Sequence, residues 1–223
     1  GMTFRDSLGN FVFLDDPLFE PILEFMEGSG LTLLTHIGEP KNCWLPIESM
    51  TVNGDKSYFT DHPQYHMYLH PDYPSHERLM ESRDHVLASY PELQMVGAHL
   101  GSLEWDVDVL AECLDSYPNF AVDLAARVCH LQVQDREKVI DFLLKYQDRI
   151  LYATDLGLSG DKFEEKKAWL ENEWRSDWTY FATDSLMSSG NVDGEFMGLD
   201  LDREVLEKIY YSNALQWYPG IFP

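Results

Sequence analysis

The sequence predicts an α/β fold in which short buried strands alternate with amphipathic helices. Four short apolar runs are separated by helical patterns, and alternation of this kind indicates a mostly parallel sheet covered by helices. The chain has 223 residues, of which 44% are hydrophobic and 25% are charged, and this is enough for one domain with a sizeable core. A single domain over residues 1–223 is therefore expected.

The first half of the chain predicts a helix, a strand, a long loop and another helix. A helix over residues 18–27 begins after Asp16 and Pro17, because an acidic residue before a proline is a typical helix start. Its apolar face comprises Leu18, Ile22, Phe25 and Met26. Residues 31–35 are a short apolar run, which predicts a strand buried on both faces. The next helix is expected over residues 75–89.

Between these elements, residues 41–74 form a polar and aromatic stretch with no clear period. A structureless loop of this length is usually functional or disordered. We expect an ordered lid or wall over the strand ends, or part of an oligomer contact, because the stretch is too aromatic for a solvated linker. Its aromatic side chains include Trp44, Tyr58, Phe59, Tyr65 and Tyr68.

The second half predicts three more strands, with helices between them and a helical tail. The strands are expected at residues 93–98, 120–124 and 149–154. The intervening helices are expected at residues 106–116 and 135–146, and the tail helices at residues 162–175 and 202–211. We therefore expect each strand to run in the same direction and to end on the same side of the sheet.

Composition narrows the possible partners and locations. The formal charge of −23 repels phosphate backbones and anionic lipid heads, so neither nucleic acid nor a membrane surface is an expected partner. No apolar run is long enough to cross a bilayer, and residues 1–5 do not form the apolar h-region that is typical of a signal peptide. Gly1 before Met2 is typical of a residue left by tag removal, so location is weakly constrained, with the cytoplasm favoured. The cysteines, Cys43, Cys113 and Cys129, predict neither a disulfide framework nor a metal site.

Three of the four predicted strands end in a side chain that can bind a metal. These residues are His36, His99 and Asp155. Ligands and catalytic groups gather at the carboxyl ends of strands in parallel α/β folds. Imidazole and carboxylate are the ligands expected of catalytic zinc or a related divalent ion, which supplies hydroxide near neutral pH. The matching positions on successive strands favour a functional site over three separate structural side chains.

Five segments in order along the chain resemble the amidohydrolase-related family, which includes aminocarboxymuconate semialdehyde decarboxylase and related hydrolases. They are Thr35-His36-Ile37-Gly38-Glu39-Pro40, Gly97-Ala98-His99-Leu100-Gly101-Ser102, Pro118-Asn119-Phe120-Ala121-Val122-Asp123-Leu124-Ala125-Ala126-Arg127, Arg149-Ile150-Leu151-Tyr152-Ala153-Thr154-Asp155 and Lys208-Ile209-Tyr210-Tyr211-Ser212-Asn213-Ala214. The resemblance implies strands five to eight of a TIM (β/α)8 barrel, with a long inserted loop and a helical C-terminal tail.

The resemblance also implies roles for the matching residues. His36 would be a metal ligand, and His99 would face the metal and assist catalysis. Asp155 would contact the metal or its water and act as general base. Asp123 lies on the strand-seven segment, and Arg127 after it would either bind a substrate carboxylate or make a structural ion pair. The implied cofactor is a divalent metal, zinc first and manganese second, and the implied substrate is a small organic acid or lactone.

The chain departs from this family because it lacks the His-x-His pair that ends barrel strand one. The nearest histidines are His62, His66, His70 and His76 in the long loop, where each is interpreted as a polar loop histidine. Two hypotheses follow: a metal-dependent hydrolase or decarboxylase, or a catalytically incomplete barrel fragment that acts as a binding or structural module. Half a barrel has open strand edges, so we expect a homo-oligomer or association with a missing N-terminal half.

Overall fold

A parallel four-stranded sheet organises the fold. The computed structural model describes residues 4–157 and 163–221. The strands are β1 (Leu33–Thr35), β2 (Met95–Gly97), β3 (Phe120–Asp123) and β4 (Ile150–Leu151). They are all parallel and lie side by side in chain order, so their carboxyl ends meet at one end of the sheet. The predicted α/β class and the four strands are confirmed, and neighbouring strands of a (β/α)8 barrel have the same order.

Helices precede, connect and follow these strands. They are α1 (Glu20–Gly28), α2 (Asn53–Asp61), α3 (His76–Ser89), the left-handed turn α4 (Ala98–Gly101), α5 (Val107–Ser116), α6 (Val128–Gln132), α7 (Arg136–Lys145), α8 (Phe163–Ala182), α9 (Arg203–Glu207) and α10 (Asn213–Trp217). The side chains of Ser75, Asp106 and Asp135 cap the starts of α3, α5 and α7 by accepting backbone hydrogen bonds. Such caps satisfy the donors left free at a helix start, which explains why these starts are predictable.

The main core lies between the sheet and the helices that follow its strands. Met95, Phe120 and Ile150, each from a different strand, are fully buried in it. Leu114 of α5 and Leu143 of α7 belong to the same cluster. Burial of apolar surface contributes roughly 25 cal/mol per Å², so this cluster fixes the strands whose ends carry the candidate site.

The predicted burial of the first helix and the first strand is wrong. On α1 and the turn before it, Leu18, Ile22 and Phe25 are 62%, 54% and 66% exposed, although the pattern predicts that they face the core. Leu23 is buried instead, and Leu34 in the middle of β1 is 55% exposed. The reason is that β1 ends an open sheet, with β2 as its sole neighbour among the described residues. We call these four exposed side chains (Leu18, Ile22, Phe25 and Leu34) the α1–β1 surface.

The segment 41–74 is ordered, as expected, and it contains more helical structure than its lack of a clear period predicts. It contains α2 and four 3-10 turns around a small apolar cluster. That cluster consists of Cys43, Met50, Phe59 and Met67. The sequence pattern conceals α2 because Phe59 is its single buried residue, and one anchor gives no helical period. Gly54 and Asp55 from this segment line a cavity at the strand ends, as a wall would.

The tail is helical, as predicted, but contains more elements than expected. Helix α8 extends to Ala182, beyond the expected end at residue 175, and its predicted start at Lys162 lies outside the described residues. The two-residue strands β5 (Leu186–Met187) and β6 (Phe196–Met197) pair antiparallel and are too short to leave an alternating pattern. A π-helical turn separates α9 from α10 where one helix was expected. Within residues 4–157 and 163–221, no helix is long and apolar enough to span a membrane.

Candidate functional site

A left-handed turn at the end of β2 positions His99. Four consecutive residues have positive φ angles: His99 at 61°, Leu100 at 55°, Gly101 at 60° and Ser102 at 59°. Left-handed helical backbone costs an L-residue roughly 1–2 kcal/mol, so a run of this kind needs support from its neighbours. Strained backbone of this type concentrates at functional sites.

The carboxylate of Asp123 at the end of β3 provides the first support. Its Oδ1 accepts the backbone N–H of His99 at 2.8 Å and that of Ala125 at 3.0 Å. Asp123 is buried, so these two donors would otherwise have no water to bind. One side chain therefore fixes the residues that follow both β2 and β3.

The loop after β1 and helix α3 provide the second support. Ser102 Oγ donates to the carbonyl of Gly38 at 2.7 Å and accepts its N–H at 3.1 Å, which joins the loop after β1 to the turn. The buried guanidinium of Arg83 donates to the carbonyl of Gly101 at 3.0 Å. These contacts offset the strain of the turn and hold His99 in one place.

The side chains of His36 and His99 lie in contact. Their ring centroids are 4.9 Å apart in an edge-to-face arrangement. His99 Nδ1 lies 2.7 Å from the carbonyl oxygen of Ala125, and because a carbonyl can only accept, Nδ1 carries the proton. In the neutral ring, Nε2 of His99 then presents a lone pair.

Electrostatics keep His36 neutral. Partial desolvation lowers the pKa of His36 below its usual value, repulsion from His99 and Arg127 lowers it further, and the nearby Glu39 opposes the shift. His36 nevertheless remains exposed to solvent. At neutral pH, His36 is therefore an uncharged imidazole that is able to bind a metal or accept a proton.

A polar cavity of about 660 Å³ lies at the ends of β3 and β4. Its charged lining residues are Asp55, Arg127, Asp155, Glu173 and Asp177. Arg127 and Asp155 follow β3 and β4, Asp55 comes from α2, and the other two carboxylates come from α8. Asp155 itself adopts a left-handed backbone with φ of 59°. The charged lining thus comes from four separate parts of the chain and contains one guanidinium.

Arg127 is buried and has no ion-pair partner among the residues that the structure describes. Its side chain is 9% exposed, its Nη1 donates to the carbonyl of Ala126 at 3.0 Å, and its Nε has no hydrogen-bond partner. Within the described ranges, no carboxylate lies within 4 Å of it, so the structural ion pair left open by the sequence is not formed there. Buried cations are normally paired, and an unpaired one beside a cavity indicates a place for an anion.

Asp55, the carboxylate contributed by the long segment, is already engaged. Its Oδ2 lies 3.3 Å from Nε2 of the buried His130 and 2.8 Å from Nδ2 of Asn42. Burial raises the pKa of Asp55, but these two partners and the charge of Arg127 outweigh it and hold the pKa below its usual range. Asp55 is therefore an ionised structural group that anchors the segment on α6.

On the α8 side, Asp177 is held by a tyrosine. Tyr152 Oη donates to Asp177 Oδ2 at 2.9 Å, and the Tyr152 ring stacks on Tyr210 with centroids 4.2 Å apart. Burial raises the pKa of Asp177 to about 6, and the neighbouring charge of Glu173 adds to the effect. The cavity thus contains a carboxyl group that gains and loses its proton near neutral pH.

The predicted site residues all follow parallel strands, and Arg127 lies near enough to His36 for its charge to affect the pKa of that ring. His36 and His99 contact each other, whereas Asp155 and Arg127 line the polar cavity. Across residues 4–157 and 163–221, no three His, Cys, Asp or Glu side chains are arranged to hold a metal ion. Two imidazoles fit a metal, but a catalytic zinc site uses about three protein ligands, so this donor set does not complete one.

The histidines of the long segment have structural roles. His66 Nε2 lies 2.7 Å from the carbonyl of Leu45, and His76 Nε2 lies 2.8 Å from the carbonyl of Ser102. Both rings are buried, so the interpretation as polar loop residues does not describe them. Desolvation lowers the pKa of His76 to about 4, which keeps the ring neutral. His62 contacts the ring of Tyr58, so none of these three takes the place of the absent His-x-His pair.

Comparison with known proteins agrees with the sequence motifs. No curated protein matches the chain. It aligns with the crystal structure of an uncharacterized TIM-barrel protein from Bordetella bronchiseptica, at 17% identity and a TM-score of 0.48. The alignment covers 92% of this chain and 52% of that one, so the chain spans about half the length of that protein. The model of a protein family described as Amidohydrolase matches residues 1–220, and the chain therefore belongs to the amidohydrolase family.

Proposed function

We propose that this protein binds a small organic acid in the polar cavity and hydrolyses or decarboxylates it. Membership of the amidohydrolase family supports a hydrolase-type or decarboxylase-type activity. The choice of substrate rests on Arg127, which lines a cavity of about 660 Å³. Its guanidinium is buried and has no carboxylate partner in the described chain. Guanidinium and carboxylate match each other in a bidentate geometry, which makes a carboxylate the expected anion.

Two residues are proposed to move protons. Asp155 lines the cavity that contains Arg127, so a bound acid would lie within its reach and Asp155 would serve as general base. In its neutral form His99 has a lone pair on Nε2, because Nδ1 donates to the carbonyl of Ala125, and the ring is fixed by the left-handed turn. It would assist catalysis from the strand next to β3, as the family resemblance implies.

The binding proposal predicts a loss of affinity when Arg127 is replaced. Arg127→Gln is expected to weaken the binding of butyrate about 30-fold, because a charge-assisted hydrogen-bond pair is lost. Arg127→Lys keeps the charge but not the planar fork, so an intermediate loss is expected. NMR titration measures both affinities. Arg203→Gln is the matched control, because Arg203 is exposed on α9 and does not line the cavity; an equal effect in both glutamine variants would contradict the proposal.

A divalent metal, zinc or manganese, is the cofactor expected from the family, and we propose that this chain alone binds it weakly. His36 and His99 offer two imidazoles, and a third protein donor is not arranged beside them in the described ranges. Losing one supporting group typically costs about 10- to 100-fold in metal affinity, and losing a ligand costs more. After zinc loading and desalting, metal analysis is expected to find less than about 0.2 zinc per chain. Near-stoichiometric retained zinc would mean that the ligand set is complete.

The alternative function is a binding module that keeps the cavity but not the chemistry. The lack of a third metal donor beside His36 and His99 in the described ranges favours it, whereas the strained and well-supported His99 turn favours an enzyme. The two hypotheses differ in turnover. Butyrate binding that depends on Arg127, without hydrolysis of lactones or decarboxylation of acids in the presence of zinc or manganese, would support the module.

We also propose that the α1–β1 surface is covered by association with another copy of the chain. Its exposed apolar side chains are spaced along one helix stripe and one edge strand, and such surfaces favour association. Light scattering coupled to gel filtration is expected to find a dimer or larger assembly that the double variant Ile22→Glu, Phe25→Glu reduces to a monomer. Leu144→Glu, at a 40% exposed residue of α7, is the control. A monomeric wild-type protein would contradict this proposal.

A further inference from the structure

We infer that the ligand of the polar cavity is zwitterionic, with its carboxylate on Arg127 and a protonated amine on Asp177 and Glu173. This inference rests on the proposed function of Arg127 and adds the second half of the ligand. Helix α8 would then determine which ligands bind, because its Glu173 and Asp177 line the cavity.

The charge of the lining favours a ligand that carries both signs. Arg127 is the one cationic residue among the described lining residues, whereas Asp155, Glu173 and Asp177 are acidic in addition to the engaged Asp55. A dianionic ligand would place its second negative group near these carboxylates, and like charges in a partly buried site repel strongly. A ligand with one negative and one positive group satisfies both kinds of lining residue.

The hydrogen-bond acceptors in the lining also favour a ligand with a protonated amine. Asp177 uses Oδ2 to accept from Tyr152, and its other carboxylate oxygen remains available as an acceptor. Gln132, which lines the same cavity, has a buried Oε1 without a hydrogen-bond partner. Away from Arg127, these charged and amide groups therefore offer acceptors, and an ammonium group brings three N–H donors.

A protonated amine fits these carboxylates better than a metal ion does. No three of the acidic, His or Cys side chains in the described parts of the chain are arranged to hold a metal. An ammonium group needs only separate hydrogen bonds to two or three acceptors, with no fixed coordination geometry. Glu173 and Asp177 stand four residues apart on α8, which places both side chains on one face of the helix.

The test compares 4-aminobutyrate with butyrate, which differ by the amine alone. At pH 7.5, isothermal titration is expected to find 4-aminobutyrate bound at least about tenfold more tightly, the gain of one hydrogen bond to a charged group. Asp177→Asn is expected to reduce this preference at least about threefold, and the double variant Glu173→Gln, Asp177→Asn to abolish it. Asp141→Asn removes the same charge from the exposed side of α7 and is expected to leave the preference unchanged.

The outcomes separate this inference from the proposed function. Equal binding of both probes by the wild type, or a preference that survives in the double variant, would overturn the zwitterionic ligand even if Arg127→Gln weakens both probes. Failure of Arg127→Gln to weaken either probe would instead overturn the proposed function. Butyrate binding that persists in the α8 variants shows that they are folded, so a lost preference is then due to the missing carboxylates.

Discussion

Replacing Asp123 with alanine is expected to destabilise the protein by about 3 kcal/mol, because two buried backbone donors lose their acceptor at once. Asp123 Oδ1 accepts the N–H groups of His99 and Ala125, and the side chain is 7% exposed. Without this oxygen, the left-handed backbone at His99 loses the contact that joins it to β3. Chemical denaturation with urea measures the change in the free energy of unfolding.

The asparagine variant separates hydrogen bonding from general loss of packing at this position. Asp123→Asn keeps a side-chain oxygen in the place of Oδ1, so a cost below about 1 kcal/mol is expected. If the asparagine variant loses as much stability as the alanine variant, the hydrogen bonds from His99 and Ala125 to Asp123 are not the source of the stabilisation. If alanine costs less than about 1 kcal/mol, the support of the turn by β3 is unimportant.

Replacing Asp177 with asparagine is expected to stabilise the protein by about 2 kcal/mol at pH 7.5 and to have little effect at pH 4. Burial raises the pKa of Asp177 to about 6 from the usual 3.8. Above about pH 6 the folded protein therefore holds an ionised carboxylate, which lowers its free energy of unfolding. The groups that face it are Tyr152, Tyr210 and Glu173, and the amide oxygen of the asparagine would still accept from Tyr152.

The sign follows from the raised pKa. Below the unfolded pKa of 3.8, both states hold the proton and Asp177 carries no penalty. As the pH rises towards about 6, the unfolded chain loses the proton first, so the relative stability of the folded state falls. Tyr152 and Tyr210 stay neutral in this window because burial raises the pKa of each. Asparagine carries no charge and so removes this loss of stability. Replacing a functional group that lowers stability commonly stabilises a protein.

Urea denaturation at pH 4 and pH 7.5 measures this difference for the wild type, Asp177→Asn and the surface variant Asp141→Asn. The surface variant is expected to show no comparable pH-dependent gain, because Asp141 is exposed on α7. A loss of stability in Asp177→Asn at pH 7.5 would show that the ionised carboxylate is a structural requirement, and would contradict its assignment to a ligand.

The sheet could be predicted because its strands are buried, and short apolar runs that alternate with helical patterns usually form strands of a parallel sheet. The same pattern is misleading at β1, where Leu34 is exposed although the run around it is apolar. A period in the sequence shows which residues share a face, but not whether the fold packs another element against that face. The same limit applies to helix α1, where Ile22 and Phe25 form a regular stripe that faces outward.

Candidate residues that follow strands could be named from the sequence, whereas those that tertiary contacts bring to the cavity could not. His36 and His99 follow neighbouring strands, and their rings are in contact. Asp55 could not be assigned, because its place beside the cavity depends on α2 folding onto α6. The pair Glu173 and Asp177 did carry a signal, two carboxylates four residues apart on a helix, but such a pair is usually a solvated face.

The most direct test of the central claim, that the cavity at the strand ends is the substrate site, is a crystal structure from crystals soaked in 4-aminobutyrate. The carboxylate is expected within about 3 Å of the guanidinium of Arg127, at the distance of a charge-assisted hydrogen bond. The amine is expected beside Asp177 and Glu173, with His99 still held by Asp123. An empty cavity in which Arg127 pairs with a carboxylate of the protein itself would contradict the account.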